Sequence, residues 1–196
     1  MAKIDPSFES PLDNFIVYNI CEPISESIYK FNITPNMITT LSFACSLISI
    51  YFLYNYNILF FIIFSSLNYI FDCLDGYVAR KYKLTTKFGD YFDHFTDIIH
   101  LFLIMFVLFY RYNFFDFKIA LVFSICLLLL YMITLSCQEK IMKKQNRSKV
   151  LSYGMDYCNL TLQRNMKYLR IFGSATMNLY IILLVIYLYS SKIKLI

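Results

Sequence analysis

Long apolar runs alternate with short polar breaks along this chain. Runs at about 37–54, 58–80, 88–110, 119–137 and 171–189 each approach the ~20 residues that carry a helix across a bilayer. Thr34-Pro35 marks a helix start ahead of the first run, because proline fits a first turn but not an interior. Tyr54-Asn55-Tyr56-Asn57 makes a brief turn with aromatic interface anchors. Thr86 is placed to cap the third run, with Asp90 in its first turn. A polar, aromatic link at 111–118 and a long basic segment at 138–170 separate the later runs. Upstream, residues 10–31 mix Phe15, Ile16, Ile20, Ile24 and Ile28 with acids. This predicts an amphipathic helix on the membrane surface; packing on the soluble side of the bundle is the other reading. The expected fold is an all-α integral membrane protein. Five transmembrane helices, or six if another lies within 151–170, follow an N-terminal interfacial helix in one domain over 1–196.

The apolar pattern breaks where the second and third runs meet their spacer. Asp72, Asp75 and Ala79 share one stripe of the second helix, with Arg80 beside it, and Gly89, Asp93 and Asp97 share one stripe of the third. Folding the chain back near Leu84 opposes Asp75 to Asp93 and Asp72 to Asp97. At a helical rise of 1.5 Å the first pair lies roughly 8–9 Å from the spacer and the second roughly 12–15 Å. Four carboxylates near hydrocarbon would repel one another and lack solvation. Hard divalent cations with oxygen ligands remove that conflict, so the constellation reads as a metal site. A structural or transport cation site is the alternative, since intramembrane acids also mark ion paths.

Composition supports the membrane reading. With 59% apolar, 19% aromatic and 16% charged residues, the chain does not suit a soluble domain. The net charge of +5 is distributed as in a membrane protein and gives no reason to expect nucleic acid. With the N-terminus cytosolic, only Arg111, Lys118, Lys192 and Lys194 of the 18 Lys and Arg fall on the far side, so the acidic motif opens to the cytosol. Lys140, Lys143, Lys144, Arg147 and Lys149 read as cytosolic charge facing anionic headgroups. One of them, or Arg164 or Arg170, binding a substrate phosphate is the second reading. The cysteines at 21, 45, 73, 126, 137 and 158 are scattered without a CxxC pair, which argues against a disulfide framework or a zinc cluster. Residues 1–9 are polar and do not resemble a cleavable signal.

The pattern D-x2-D-G-x2-A-R-x8-G-x3-D-x3-D, filled by Asp72, Asp75, Gly76, Ala79, Arg80, Gly89, Asp93 and Asp97, resembles the signature of the CDP-alcohol phosphatidyltransferases. Thr34-Pro35-Asn36 and Thr39 extend the resemblance upstream. It implies transfer of a substituted phosphate from a CDP-linked donor to an alcohol, one partner being a lipid, with release of CMP. It also implies Asp72, Asp75 and Asp93 as ligands of two Mg²⁺ or Mn²⁺ ions, and Asp97 as a further ligand and general base. Gly76, Ala79 and Gly89 would leave room for the nucleotide, and Arg80 would pair with phosphate oxygens. The donor would be CDP-diacylglycerol meeting a soluble alcohol, or CDP-choline or CDP-ethanolamine meeting diacylglycerol; Phe92-Asp93-His94 looks somewhat like the latter branch. A homodimer is implied too, as is an internal membrane such as the endoplasmic reticulum if the source is eukaryotic. The family usually has six spans, one more than the five runs counted here.

Around the motif, Asn68 is expected to support Asp72 from one turn away. His100 either hydrogen-bonds Asp97 or holds a neighbouring helix. Asn36 touches the nucleotide by analogy or caps its helix. Asp90 reads as a helix-start residue and His94 as structural.

Overall fold

The structure is a computed structural model that describes residues 8–111, 114–141, 158 and 165–193. Its order is α1 (Pro11–Ile16), a π-helical turn (Val17–Cys21), α2 (Glu22–Lys30), α3 (Pro35–Tyr54), α4 (Ile58–Lys81), α5 (Lys87–Arg111), α6 (Phe114–Ile141), α7 (Met166–Leu169) and α8 (Ser174–Ile193). The molecule is an all-α, membrane-spanning bundle. Among the described residues four helices are long and apolar enough to cross a membrane: α3, α4, α5 and the 121–138 part of α6. In α8 the apolar stretch Ser174–Ser190 is shorter. The outward faces carry Phe102, Phe106, Val122, Phe123 and Leu183, all exposed, as hydrocarbon surroundings require.

Local signals start the helices where the sequence places them. Thr34 accepts from Met37 N ahead of Pro35, Asn57 from Phe60 N, and Thr86 from Gly89 N at 3.0 Å. The ends of α2, α3 and α4 share a different device. Asn32, Tyr56 and Lys83 each take a positive φ, near 57°, and the next residue's N–H bonds back five residues. These are left-handed helix stops made without glycine. Two features depart from the sequence reading. The N-terminal helix widens to a π turn just before Pro23, whose missing N–H and bulky ring leave the regular ladder incomplete there. The fourth run begins at Phe114 rather than 119, because Phe114–Lys118 continues the helix instead of linking to it.

Two apolar cores bracket the bundle. One joins Leu53, Phe61, Leu108, Val185 and Leu188 at the end remote from the motif. The other packs Val17 and Cys21 against Ile38, Leu74, Tyr77 and Val78, so the N-terminal helix lies across the motif end of α4. Burial there pushes the Cys21 thiol up to about 11. The face of the N-terminal helix turned to the bundle is Asp13, Val17, Cys21 and Ser25, whereas Phe15 and Ile24 face outward. Asp13 is buried and accepts hydrogen bonds from Tyr69 of α4 and from Ser174 Oγ and Ala175 N at the start of α8.

The cysteine expectation is corrected. Cys137 and Cys158 form a disulfide across 21 residues, in a small cluster with Met166. Their partnership depends on where the chain returns beside the end of α6, which spacing does not reveal. The proposed extra helix within 151–170 lies mostly outside the described residues, as do Lys143, Lys144, Arg147, Lys149 and Arg164. Lys140 donates to the carbonyl of Cys158 at 2.8 Å.

Candidate metal centre

The end of α4 and the start of α5 bring the motif carboxylates together. Asp72, Asp75 and Asp93 can each place an oxygen within 4.8 Å of the others, and Asp93, His94 and Asp97 form a second such group. Asp93 is common to both. Each group could hold a divalent cation, the first through carboxylate oxygens alone, as hard ions prefer, and the second with an imidazole nitrogen added. Asp93 Oδ1 is buried without a hydrogen-bond partner. In an apolar bundle a bare anionic oxygen needs a compensating charge, so these residues fit a bound cation. His94 lies nearer the site than the sequence reading placed it, with its ring also 3.9 Å from Asp90. Asp90 sits exposed in the first turn of α5, where its charge complements the helix dipole.

A layer of hydroxyls on α3 supports the acids from behind. Thr39, Ser42, Ser46 and Ser49 recur at helical spacing along one buried stripe. Thr39 donates to Asp75 Oδ2 at 2.5 Å, and Ser42 to the side-chain and backbone oxygens of Asn68, each at 2.9 Å. Ser46 pairs with His100 Nδ1 at 2.6 Å, and Ser49 bonds back to the Ser46 carbonyl. His100 thus holds a neighbouring helix, one of the two roles open to it, while sharing a cavity wall with Asp97. Asn68 likewise lines that wall beside Asp72, oriented by Ser42. The hydroxyl stripe escaped the sequence reading, although its three-and-four spacing was visible.

Two cavities flank the acids. The first, about 260 Å³, is bounded by Asn36 and Thr39, by Asp75, Gly76, Ala79 and Arg80, by the turn at Leu84–Thr86, and by Gly89, Asp93 and His94. Every sequence-predicted nucleotide residue is here. Arg80 lies folded against Gly76, its Nε buried without a hydrogen-bond partner, so its guanidinium has capacity for an incoming anion. Asn36 Oδ1 sits 2.9 Å from where a Cβ on residue 89 would stand, so a side chain there would displace it. The second cavity, about 210 Å³, lies on the other side of the acids, where Asp72 and Asp97 form its wall with residues of α4, α5, α6 and α8.

Paired acids on two membrane helices, one guanidinium and a cavity on each side define a polytopic membrane protein with two acidic clusters able to coordinate a divalent cation. The chain belongs to the CDP-alcohol phosphatidyltransferase family, whose profile it matches over residues 32–193. It is similar to an archaetidylinositol phosphate synthase of Pyrococcus horikoshii, 30% identical over 97 residues, which are 50% of this chain and 47% of that one. It is also similar to an uncharacterized protein of Aquifex aeolicus, 31% identical over 78 residues, 40% of each chain. The chain spans less than half the length of these curated relatives. No solved structure matches it.

Proposed function

We propose that the protein is a phospholipid-forming transferase that moves a substituted phosphate from a CDP-linked donor to an alcohol hydroxyl and releases CMP. The observation that carries this reading is the convergence of Asp72, Asp75, Asp93 and Asp97 between two cavities, one of which holds Arg80. Those four carboxylates would bind the cations, Mg²⁺ or Mn²⁺ and two in number by family resemblance. Bound ions would supply neutralisation of the diphosphate and activation of the attacking oxygen. Arg80 pairs with phosphate oxygens in the first cavity, and Gly76, Ala79 and Gly89 let the nucleotide approach the helix backbones. Asn36 offers its amide to the nucleotide, and Thr39 holds Asp75 in its orientation. Asn68 and His100, steadied by Ser42 and Ser46, keep the second cavity's wall in place. Asp97 receives the acceptor's proton as general base.

The placement of basic residues supports a cytosolic opening of the first cavity, and α8 serves as a fifth span with the N-terminal helix at the interface. A homodimer follows from the family alone. Purified protein with Mg²⁺ or Mn²⁺, CDP-linked donors of both types and soluble and lipid acceptors tests the reading by CMP release. Release with any pair supports it. No CMP with any pair, alongside retained cation binding, favours a non-catalytic cation-binding or transporting protein.

A further inference from the structure

We infer that Asp13 of the N-terminal helix and Tyr69 of α4 are positioning residues of the transfer reaction. Asp13 holds the Tyr69 ring as a wall that keeps water from Asp72 and Asp97, so that the donor phosphorus meets an alcohol. The inference rests on the transfer reading above and holds for either type of acceptor. A groove of about 150 Å³ lies beside the second cavity, bounded by Leu12 and Ile16 of the N-terminal helix, Ile70 of α4 and Leu179 of α8. Among the described residues, Tyr69 and Asn178 line both spaces, so these two side chains stand between them. Tyr69 precedes Asp72 by one turn of α4 and shares its face, which sets the ring beside the acids.

Both residues are buried, Tyr69 at 8% exposure and Asp13 at 5%. The phenol donates to Asp13 Oδ1, a charge-assisted bond. The same oxygen accepts from Ser174 Oγ at 3.1 Å and from Ala175 N at 2.9 Å, in the first turn of α8. Asp13 Oδ2 packs against Gly173, where a Cβ would collide with it. Contacts with α8 thus fasten the carboxylate, and the carboxylate fastens the outer end of a ring whose inner end is fixed to α4. A phenylalanine would fill the same space, but nothing would stop its outer edge from swinging away. Asp13 lies upstream of the residues 32–193 that match the family, so this support comes from outside the matched span.

Exclusion of water matters because water and an alcohol compete for the same step. The attacking oxygen bonds to the donor phosphorus, the bond from that phosphorus to the CMP oxygen breaks, and the attacker's proton passes to Asp97. An alcohol yields a phosphodiester and water a phosphomonoester; CMP leaves in both cases. Asp97 lines the second cavity with Asp72, Asn68 and His100, polar groups that would hold water in any added space. A released ring joins that cavity to the groove and supplies the space.

The test uses the full chain in nanodiscs with Mn²⁺, offered CDP-choline with dioleoylglycerol and CDP-diacylglycerol with inositol or glycerol phosphate. The ratio of phosphomonoester to phosphodiester is read for whichever pair reacts. Tyr69→Phe and Asp13→Asn are each expected to raise that ratio about threefold, and the double variant no further than either alone, because the two residues act as one device. Tyr69→Ala removes the ring and is expected to raise the ratio at least about tenfold, with Mn²⁺ affinity within about twofold of wild type in every variant. Helical circular dichroism identifies folded protein; should Tyr69→Ala not fold, the two milder variants decide. An unchanged ratio in folded Tyr69→Phe and Asp13→Asn proteins overturns the inference and leaves transfer intact. A rise confined to one of them overturns the coupling between the two residues. No CMP release by wild type with any pair overturns the transfer reading and this inference together.

Discussion

A carboxylate buried in an apolar bundle persists where its charge is compensated, and Asp75 is compensated in part by the Thr39 hydroxyl at 2.5 Å. Thr39→Val keeps the shape and removes the donor. An unpartnered buried acceptor costs about 1–3 kcal/mol, so Mn²⁺ affinity is expected to fall about tenfold, with Thr39→Ser close to wild type. Titration followed by electron paramagnetic resonance reads both. Asp93 belongs to both candidate cation groups, whereas Asp97 belongs to one. Asp93→Asn is therefore expected to weaken Mn²⁺ binding more than Asp97→Asn, which should abolish CMP release and still bind metal. Equal loss of binding in the two variants would contradict the sharing. The aspartates were legible in the sequence because helical spacing and a fold-back at the spacer suffice to bring them together. The serines of α3 were not. Hydroxyls in membrane helices commonly bond to their own backbone, as Thr40 does to Asn36, so spacing alone does not name a partner across the bundle.

Helix stops supply predictions at the next scale. Lys83 ends α4 in a left-handed conformation that costs a side chain about 1 kcal/mol relative to glycine. Lys83→Gly is expected to raise the thermal midpoint, with CMP release unchanged, because the residue closes the turn and touches neither cavity. At the other end of the chain, a Cβ on Gly173 would collide with the Asp13 carboxylate and with Ser10 Cβ. Gly173→Ala is expected to loosen the N-terminal helix and open sites before Phe31 to limited proteolysis. Helix positions were readable from apolar runs and caps, yet the contact between α8 and Asp13 was not. An acid on an amphipathic segment reads as solvated, and its partners at 174 and 175 are 161 and 162 residues away. The Cys137–Cys158 link was hidden for the same reason: both depend on how the chain returns.

At the scale of the molecule, chemistry and cohesion occupy different levels. The larger core gathers Leu53, Phe61, Leu108 and Leu188 at the end away from the acids. Removing cations with EDTA is expected to end CMP release, restored by Mn²⁺, while helical circular dichroism stays unchanged; extensive helix loss would show that the ions hold the bundle together. Asp13 adds a consequence for biogenesis. Synthesis delivers the first helix long before the last, so the carboxylate must wait at the aqueous boundary until Gly173, Ser174 and Ala175 emerge. Ribosome-stalled chains ending before residue 173 should leave that early segment open to labelling, and chains carrying the whole final helix should shield it. Residues 173–175 would then latch the segment around Asp13 into register, making the arrival of α8 a checkpoint on assembly.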